Sequence, residues 1–167
     1  FTPRIKILGK EDTFMRKSIA LVLAVVTLVS LLGTTALAAG SKGNLVEFNA
    51  PKGVKIVDTT RPVVTMADID EAVRNLTDEQ IKAFEDLGFD APEARYAILR
   101  EAEVTIEDGK SAELEISLDG VTDTDLGVAA WYMTTDGTLA FLNVGMAVDV
   151  LPVTLNENGT LCVTSVK

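Results

Sequence analysis

In the stretch SAELEISL (111–118), Ala112, Leu114, Ile116 and Leu118 alternate with Ser111, Glu113, Glu115 and Ser117. Successive side chains of a strand point to opposite faces, so the pattern predicts a half-buried antiparallel strand with one apolar and one polar face. ILREAEVTI (98–106) has the same period, with Ile98, Ala102, Val104 and Ile106 sharing a face with Arg100. The EDGK stretch (107–110) predicts a tight hairpin between the two. VAAWYMTTDGTLAFLNV (128–144) predicts a second hairpin that turns at Asp136-Gly137. VDVLPVTL (148–155) and TLCVTSV (160–166) flank residues 156–159 and predict a third. Six strands with turns at short intervals describe a β-sandwich better than an open sheet.

Ahead of these strands the period changes. NLVEF (44–48) and GVKIV (53–57) are short β-prone runs separated by Pro51 and Gly53. MADIDEAVRNL then places Ile69, Val73 and Leu76 on one helical face. In TDEQIKAFEDLG, Thr77 with Gln80 makes a capping box, Asp78 and Glu79 suit the positive helix start, and Gly88 supplies a left-handed stop. Ile81, Phe84 and Leu87 form the apolar face. Asp90 and Pro92 predict one further turn.

The N-terminal part follows a different logic. From Met15 the chain reads MRKSIALVLAVVTLVSLLGTTALAAG. Arg16 and Lys17 form a positive start, an apolar run extends from Ile19 to Leu32, and Ala36-Leu37-Ala38 is a small-x-small site. This is the order of a secretory signal cleaved after Ala38, with the mature chain starting at Ala39. An uncleaved anchor is the alternative, because 21 apolar and small residues at ~1.5 Å each could just cross ~30 Å of hydrocarbon. Residues 1–14 have no period. Lys10-Glu11-Asp12 can be encoded by a purine-rich ribosome-binding sequence, so this segment reads as translated leader and the source as bacterial; a genuine extension is the other reading.

Export changes the charge balance. The leader and signal hold five basic and two acidic residues, which leaves ten basic and twenty-three acidic residues and a net charge of −13, against −10 for the whole chain. That disfavours nucleic acid and anionic membrane surfaces as partners, since both require positive charge. The chain has no His, which removes Ser-His-Asp and Cys-His catalysis and His-ligated zinc. Cys162 is the sole Cys, so no internal disulfide can form. It reads as a packed strand thiol, with an intermolecular disulfide as the alternative. No Cys follows the cleavage site, so lipid attachment is not supported.

Residues 98–167 carry a combination that looks familiar. AELEISLDGV precedes an aromatic hairpin, AAWYMTTDGTLAFLNV, and then NGTLCVTSV. In this the segment resembles the immunoglobulin-like β-sandwich modules of exported and cell-surface proteins of Gram-positive gut bacteria. The resemblance implies an antiparallel sandwich and carries no catalytic motif or functional residue with it. In such modules a further strand usually follows, so the chain, ending at Lys167, is expected to lack its last strand and to leave an edge open to association.

Several motifs compete with plainer uses. LPVTL (151–155) is near the L-P-x-T-G sorting signal, yet Leu155 stands where Gly is needed, and a strand with Pro152 at an edge or bulge accounts for it. Asp119, Asp123 and Asp125 are candidate Ca²⁺ ligands that lack an alternating register and a distal Glu; the same residues serve an inter-strand turn. Twenty-three carboxylates supply many pairs for a glycosidase and select none. Asn75-Leu76-Thr77 and Asn158-Gly159-Thr160 match the glycosylation triplet but double as a cap and a turn. Trp131 and Tyr132 are adjacent on a strand and so face opposite sides: one enters the core and the other is a candidate contact for sugar or protein.

The expected architecture is α+β. After the leader (1–14) and signal peptide (15–38) come strands and two or three short helices (39–97), then an immunoglobulin-like sandwich (98–167). The expected function is a secreted or cell-envelope, non-enzymatic interaction or structural module for an extracellular protein or glycan. It would have no cofactor beyond Ca²⁺ and no membrane contact after cleavage. A secreted carboxylate-dependent glycan hydrolase is the alternative.

Overall fold

Strands β1 (Val46–Asn49), β4 (Ala112–Leu118) and β7 (Leu151–Leu155) form a three-stranded antiparallel sheet in the order β1-β4-β7. Strands β2 (Val54–Asp58), β3 (Tyr96–Ile106), β5 (Gly127–Thr134), β6 (Leu139–Met146) and β8 (Gly159–Val166) form a five-stranded antiparallel sheet in the order β2-β3-β8-β5-β6. Two short helices, α1 (Met66–Arg74) and α2 (Asp78–Glu85), lie between β2 and β3 in the chain. This is a computed structural model; it describes residues 45–107 and 110–167, all within the unit Ala39–Lys167. The expected leader, signal peptide and anchor alternative lie outside the described residues. No helix among the described residues is long and apolar enough to cross a membrane.

Burial shows what covers each sheet. In β4, Ala112, Leu114 and Ile116 are buried and Glu113 and Glu115 exposed; in β7, Leu151, Val153 and Leu155 are buried and Pro152 and Thr154 exposed. The three-stranded sheet therefore has one wet face. β5 and β8 behave differently: from Gly127 to Tyr132 and from Thr160 to Val166 every residue is buried. At β5 and β8 the five-stranded sheet is covered on both sides and forms the central layer of three, while Lys55 and Val57 of β2 and Glu103 and Thr105 of β3 leave the outer face exposed at that edge. One face, with Ala102, Val104, Val128, Ala130, Leu161 and Val163, meets the three-stranded sheet. The other, with Ala129, Trp131, Cys162 and Val166, packs against Ile69, Ala72 and Val73 of α1 and Phe84 of α2.

The helices are built to serve that second core. α1 is capped by Thr65, whose hydroxyl accepts Asp68 N–H while Asp68 Oδ2 accepts Thr65 N–H. The Thr65 hydroxyl proton, donated to Asp68 Oδ2 at 2.7 Å, and then the Thr65 N–H hold the Asp68 carboxyl below its usual range. α2 has the expected box, with Thr77 N–H donating to Gln80 Oε1 at 2.9 Å and Gln80 N–H to Thr77 Oγ1 at 3.2 Å. It stops as expected at Gly88 (φ 88°), where Gly88 N–H reaches Glu85 O and Phe89 N–H reaches Phe84 O. That is a Schellman closure, and it brings Phe89 beside Phe84 in one cluster. Phe89 in turn sits against Gly127, where an added Cβ would lie 2.6 Å from its ring.

Three sequence-based expectations are corrected. The EDGK stretch does not join a hairpin, because β3 belongs to the five-stranded sheet and β4 to the three-stranded one. The third expected hairpin fails for the same reason, since β7 and β8 lie in different sheets. Alternation reports that one face is buried, but not which sheet the strand joins. Only β5 and β6 form the expected hairpin, turning at Asp136, whose Oδ1 accepts the Thr134 hydroxyl proton and Thr138 N–H; these bonds, the first above all, hold its carboxyl below the usual range. Third, Ile98 does not share a face with Ala102. A β-bulge at Leu99 shifts the register against β8, so Ile98 turns to the helix side while Ala102, Val104 and Ile106 keep the inner face. The division at residue 98 also separates strands that pair: β1 bonds β4, and β2 bonds β3. β7 is an edge strand containing Pro152, as LPVTL suggested, and the final strand, β8, is paired on both sides by β3 and β5.

Leu114 is 0 % exposed in mid-strand while Glu115 faces water. Leu114→Ala is expected to destabilise the protein by about 2–5 kcal/mol, the cost of lost burial plus a cavity. Glu115→Ala should change stability by less than about 0.5 kcal/mol. Equal effects in denaturant melts would contradict the inner and outer assignment of β4.

Candidate functional site

The wet face of the three-stranded sheet follows from the alternation in its strands. Pairing sets Glu47 opposite Ser117, Asn49 opposite Glu115, Glu113 opposite Thr154 and Glu115 opposite Pro152. These side chains share the outer face, while Val46, Phe48, Leu114, Ile116 and Val153 point inward. The three strands carry three glutamates on this face and contain no Lys or Arg. Asn49 Nδ2 donates to Glu115 Oε2 at 3.4 Å. Beside them lies an open depression of about 550 Å³, lined by Asn49, Pro51, Glu113, Glu115, Pro152 and Thr154 among others. Its lining includes two carboxylates, an amide, a hydroxyl and two prolines. Such a surface can accept hydrogen bonds from a ligand and attract positive charge. The polar half of SAELEISL was the signal for it.

The residues singled out from the sequence fall elsewhere. Trp131 is 0 % exposed and Tyr132 4 %, so neither offers a ring to a ligand. They do face opposite sides of β5, as expected, but both sides of that strand are covered. Trp131 looks into the helix-side core, where Nε1 donates to Thr164 Oγ1 at 3.0 Å and the ring packs edge-on against Tyr96 and Phe141, with centroids at 5.9 and 5.5 Å. Tyr132 looks toward the three-stranded sheet and donates its hydroxyl to Glu157 O at 2.6 Å.

Asp119, Asp123 and Asp125 are not brought together. Asp123 Oδ1 accepts Asp125 N–H at 2.9 Å, which is the turn use of an Asp, and its Oδ2 lies 4.0 Å from Lys167 Nζ. Among the described residues no group of three His, Cys, Asp or Glu side chains is placed to hold a metal ion. Cys162 is buried, and that burial, with Glu101 adding to it, pushes its thiol up. Asn158 Oδ1 accepts Ile106 N–H at 2.8 Å, so the second glycosylation triplet is tied into the fold.

Sequence reasoning missed three polar residues with structural work. Glu101 Oε2 accepts Val63 N–H at 2.9 Å and Val64 N–H at 3.4 Å, fixing the lead into α1. Arg100 and Asn143 each bridge the two sheets. A single polar residue inside an apolar run, as Asn143 is in AFLNV, was the available signal. Comparison with models of known families, with characterised proteins and with solved structures finds no match.

The two tyrosines give a direct test of the cores. Burial foremost, with Asp90 near Tyr96 and Glu157 near Tyr132 adding to it, pushes both phenols up to about 12. Tyrosinate absorbance of the folded protein is expected to rise with a midpoint near 12, against ~10 in denaturant. The raised value means that folding favours the neutral phenol. The associated stability is therefore fully present below pH ~10 and is lost as the pH rises toward and through about 12. Folded protein that titrates at ~10 would contradict both burials.

Proposed function

We propose that the chain is an exported bacterial module, secreted or held at the cell envelope, that binds or supports an extracellular partner without catalysing a reaction. On this reading its two antiparallel sheets are an immunoglobulin-like sandwich carrying an added helical layer. The observation that carries the reading is the outer face of the three-stranded sheet. It is polar and exposed among the described residues, and its strands are anchored from below by Leu114, Ile116 and Val153. A face of this kind engages a partner by hydrogen bonding along Asn49, Glu113, Glu115 and Thr154 rather than by aromatic stacking, because Trp131 and Tyr132 are internal. Pattern resemblance to exported Gram-positive modules and the signal-like segment from Met15 support the compartment. The partner is a protein or glycan outside the cell.

One observation favours a second reading. Glu113 and Glu115 are two positions apart on the same face, ~7 Å along the strand, within the carboxylate spacing of about 5–10 Å that glycosidases use. Both are exposed in an open depression, however, without the enclosure that excludes water around a bond to be cleaved. Purified cell-wall glycan and peptidoglycan separate the two readings. The binding reading expects saturable retention of intact polymer, lost in a Glu113→Lys/Glu115→Lys double variant, with no new reducing ends. Release of reducing ends that Glu113→Gln abolishes would establish the hydrolase instead. No retention and no release would leave a protein partner as the surviving form of the proposal, and failure of a charge-reversed face to alter any envelope association would overturn it.

A further inference from the structure

β1 and β7 edge the three-stranded sheet and β2 and β6 the five-stranded one, and single side chains link β1 to β2 and β6 to β7. On the first side, Asp119 N–H donates to Leu45 O at 2.8 Å, so the odd-numbered residues of β1 bond β4 and the C=O of Val46 points away from the sheet. Arg100, reaching across from β3, donates Nη1 to that oxygen at 2.6 Å. Its Nε and Nη2 both lie 2.8 Å from Asp58 Oδ1 of β2, and the guanidinium sits 4.4 Å from the centroid of the Phe48 ring. The Arg100 side chain is only 20 % exposed, so it fills the gap between the edges rather than standing in water.

The second side repeats the device with an amide. Ala147 N–H donates to Leu126 O, which places Val144 among the β6 residues whose N–H points away from β5. Asn143 Oδ1 accepts that N–H at 2.9 Å, and its Nδ2 donates to Pro152 O of β7 at 2.8 Å. Pro152 itself has no N–H to offer. On each side one side chain thus occupies a backbone group that faces outward and ties the two sheets together.

Outward N–H and C=O groups on an edge strand are a template for pairing with another chain. We infer that Arg100 and Asn143 are edge guards: they hold shut two strand edges that would otherwise pair with a strand of a second copy of this chain. The inference is independent of what the outer sheet face binds. Arg100 carries the stronger lock, since it pairs a carboxylate, a carbonyl and a ring at once.

The test uses the exported protein with Arg100→Met, which keeps an apolar stem over Phe48 but loses every donor, and with Asn143→Leu. Circular dichroism melts first identify folded variants, and light scattering behind size exclusion then follows mass against concentration. Wild type is expected to stay monomeric. Each folded variant is expected to self-associate, with an affinity raised by about tenfold or more. Hydrogen exchange should gain protection in β1 for Arg100→Met and in β6 and β7 for Asn143→Leu. Should Arg100→Met not fold, Arg100→Lys, which keeps the charge but loses the planar fork of donors, is expected to associate in its place. Folded variants that remain monomeric would overturn the inference. So would association that leaves exchange in those strands unchanged, or a wild type that already dimerises through β1 or β6.

Discussion

The centre of the five-stranded sheet, β5 and β8, is desolvated on both faces, and this constraint governs the rest of the molecule. Water cannot satisfy the backbone of β8, so each of its N–H and C=O groups depends on β3 or β5, and both neighbours pair with it along nearly its whole length. Polar side chains that fall inside must also find partners. The Trp131 indole meets the Thr164 hydroxyl, and no buried side-chain N or O among the described residues lacks a partner. Tight tolerances follow: Gly127 leaves room for Phe89, and Gly159 leaves room for the Tyr132 ring and the Met133 carbonyl. The helices therefore close a core whose other walls are strands. Phe84 of α2 links them to the sheet through Phe141 and Tyr96, with ring centroids at 5.3 and 6.4 Å.

Much of the local structure was legible because it rests on short-range rules. The period of SAELEISL gave the inner and outer faces of β4 residue by residue. Thr77, Gln80 and Gly88 marked both ends of α2. Pro152 marked an edge strand. What could not be read is the assembly of strands into sheets. β3 and β4 both alternate, and alternation is the same whether two strands pair in one sheet or face each other across a core. Leu99 is an ordinary apolar residue that gives no sign of a bulge, so the face of Ile98 was misplaced. The third layer was legible in principle: VAAWYM and TLCVTSV are apolar or small at both parities, as strands buried on two sides are.

The candidate chemistry misled for a related physical reason. An aromatic pair on a strand suggests one exposed ring only if the sheet has a wet face, and β5 has none. Three aspartates in a loop suggest a cation only if the chain folds them inward, but Asp123 spends an oxygen on the backbone of Asp125. The surface that remains available is the plain polar face of β4 and its neighbours. The buried aromatics and thiol build the frame, Arg100 and Asn143 bridge its two sheets, and the outer glutamates and amide stay exposed on the three-stranded sheet.

Native-state hydrogen exchange, resolved by residue, tests the three-layer arrangement most directly. If the five-stranded sheet is the covered centre, amides of β5 and β8 exchange slowest and only through global unfolding, while those of β1 and β7 exchange through smaller openings. Amides of β8 that exchange as fast as those of β1 would mean that one of its faces or edges is open to water, and would contradict the account.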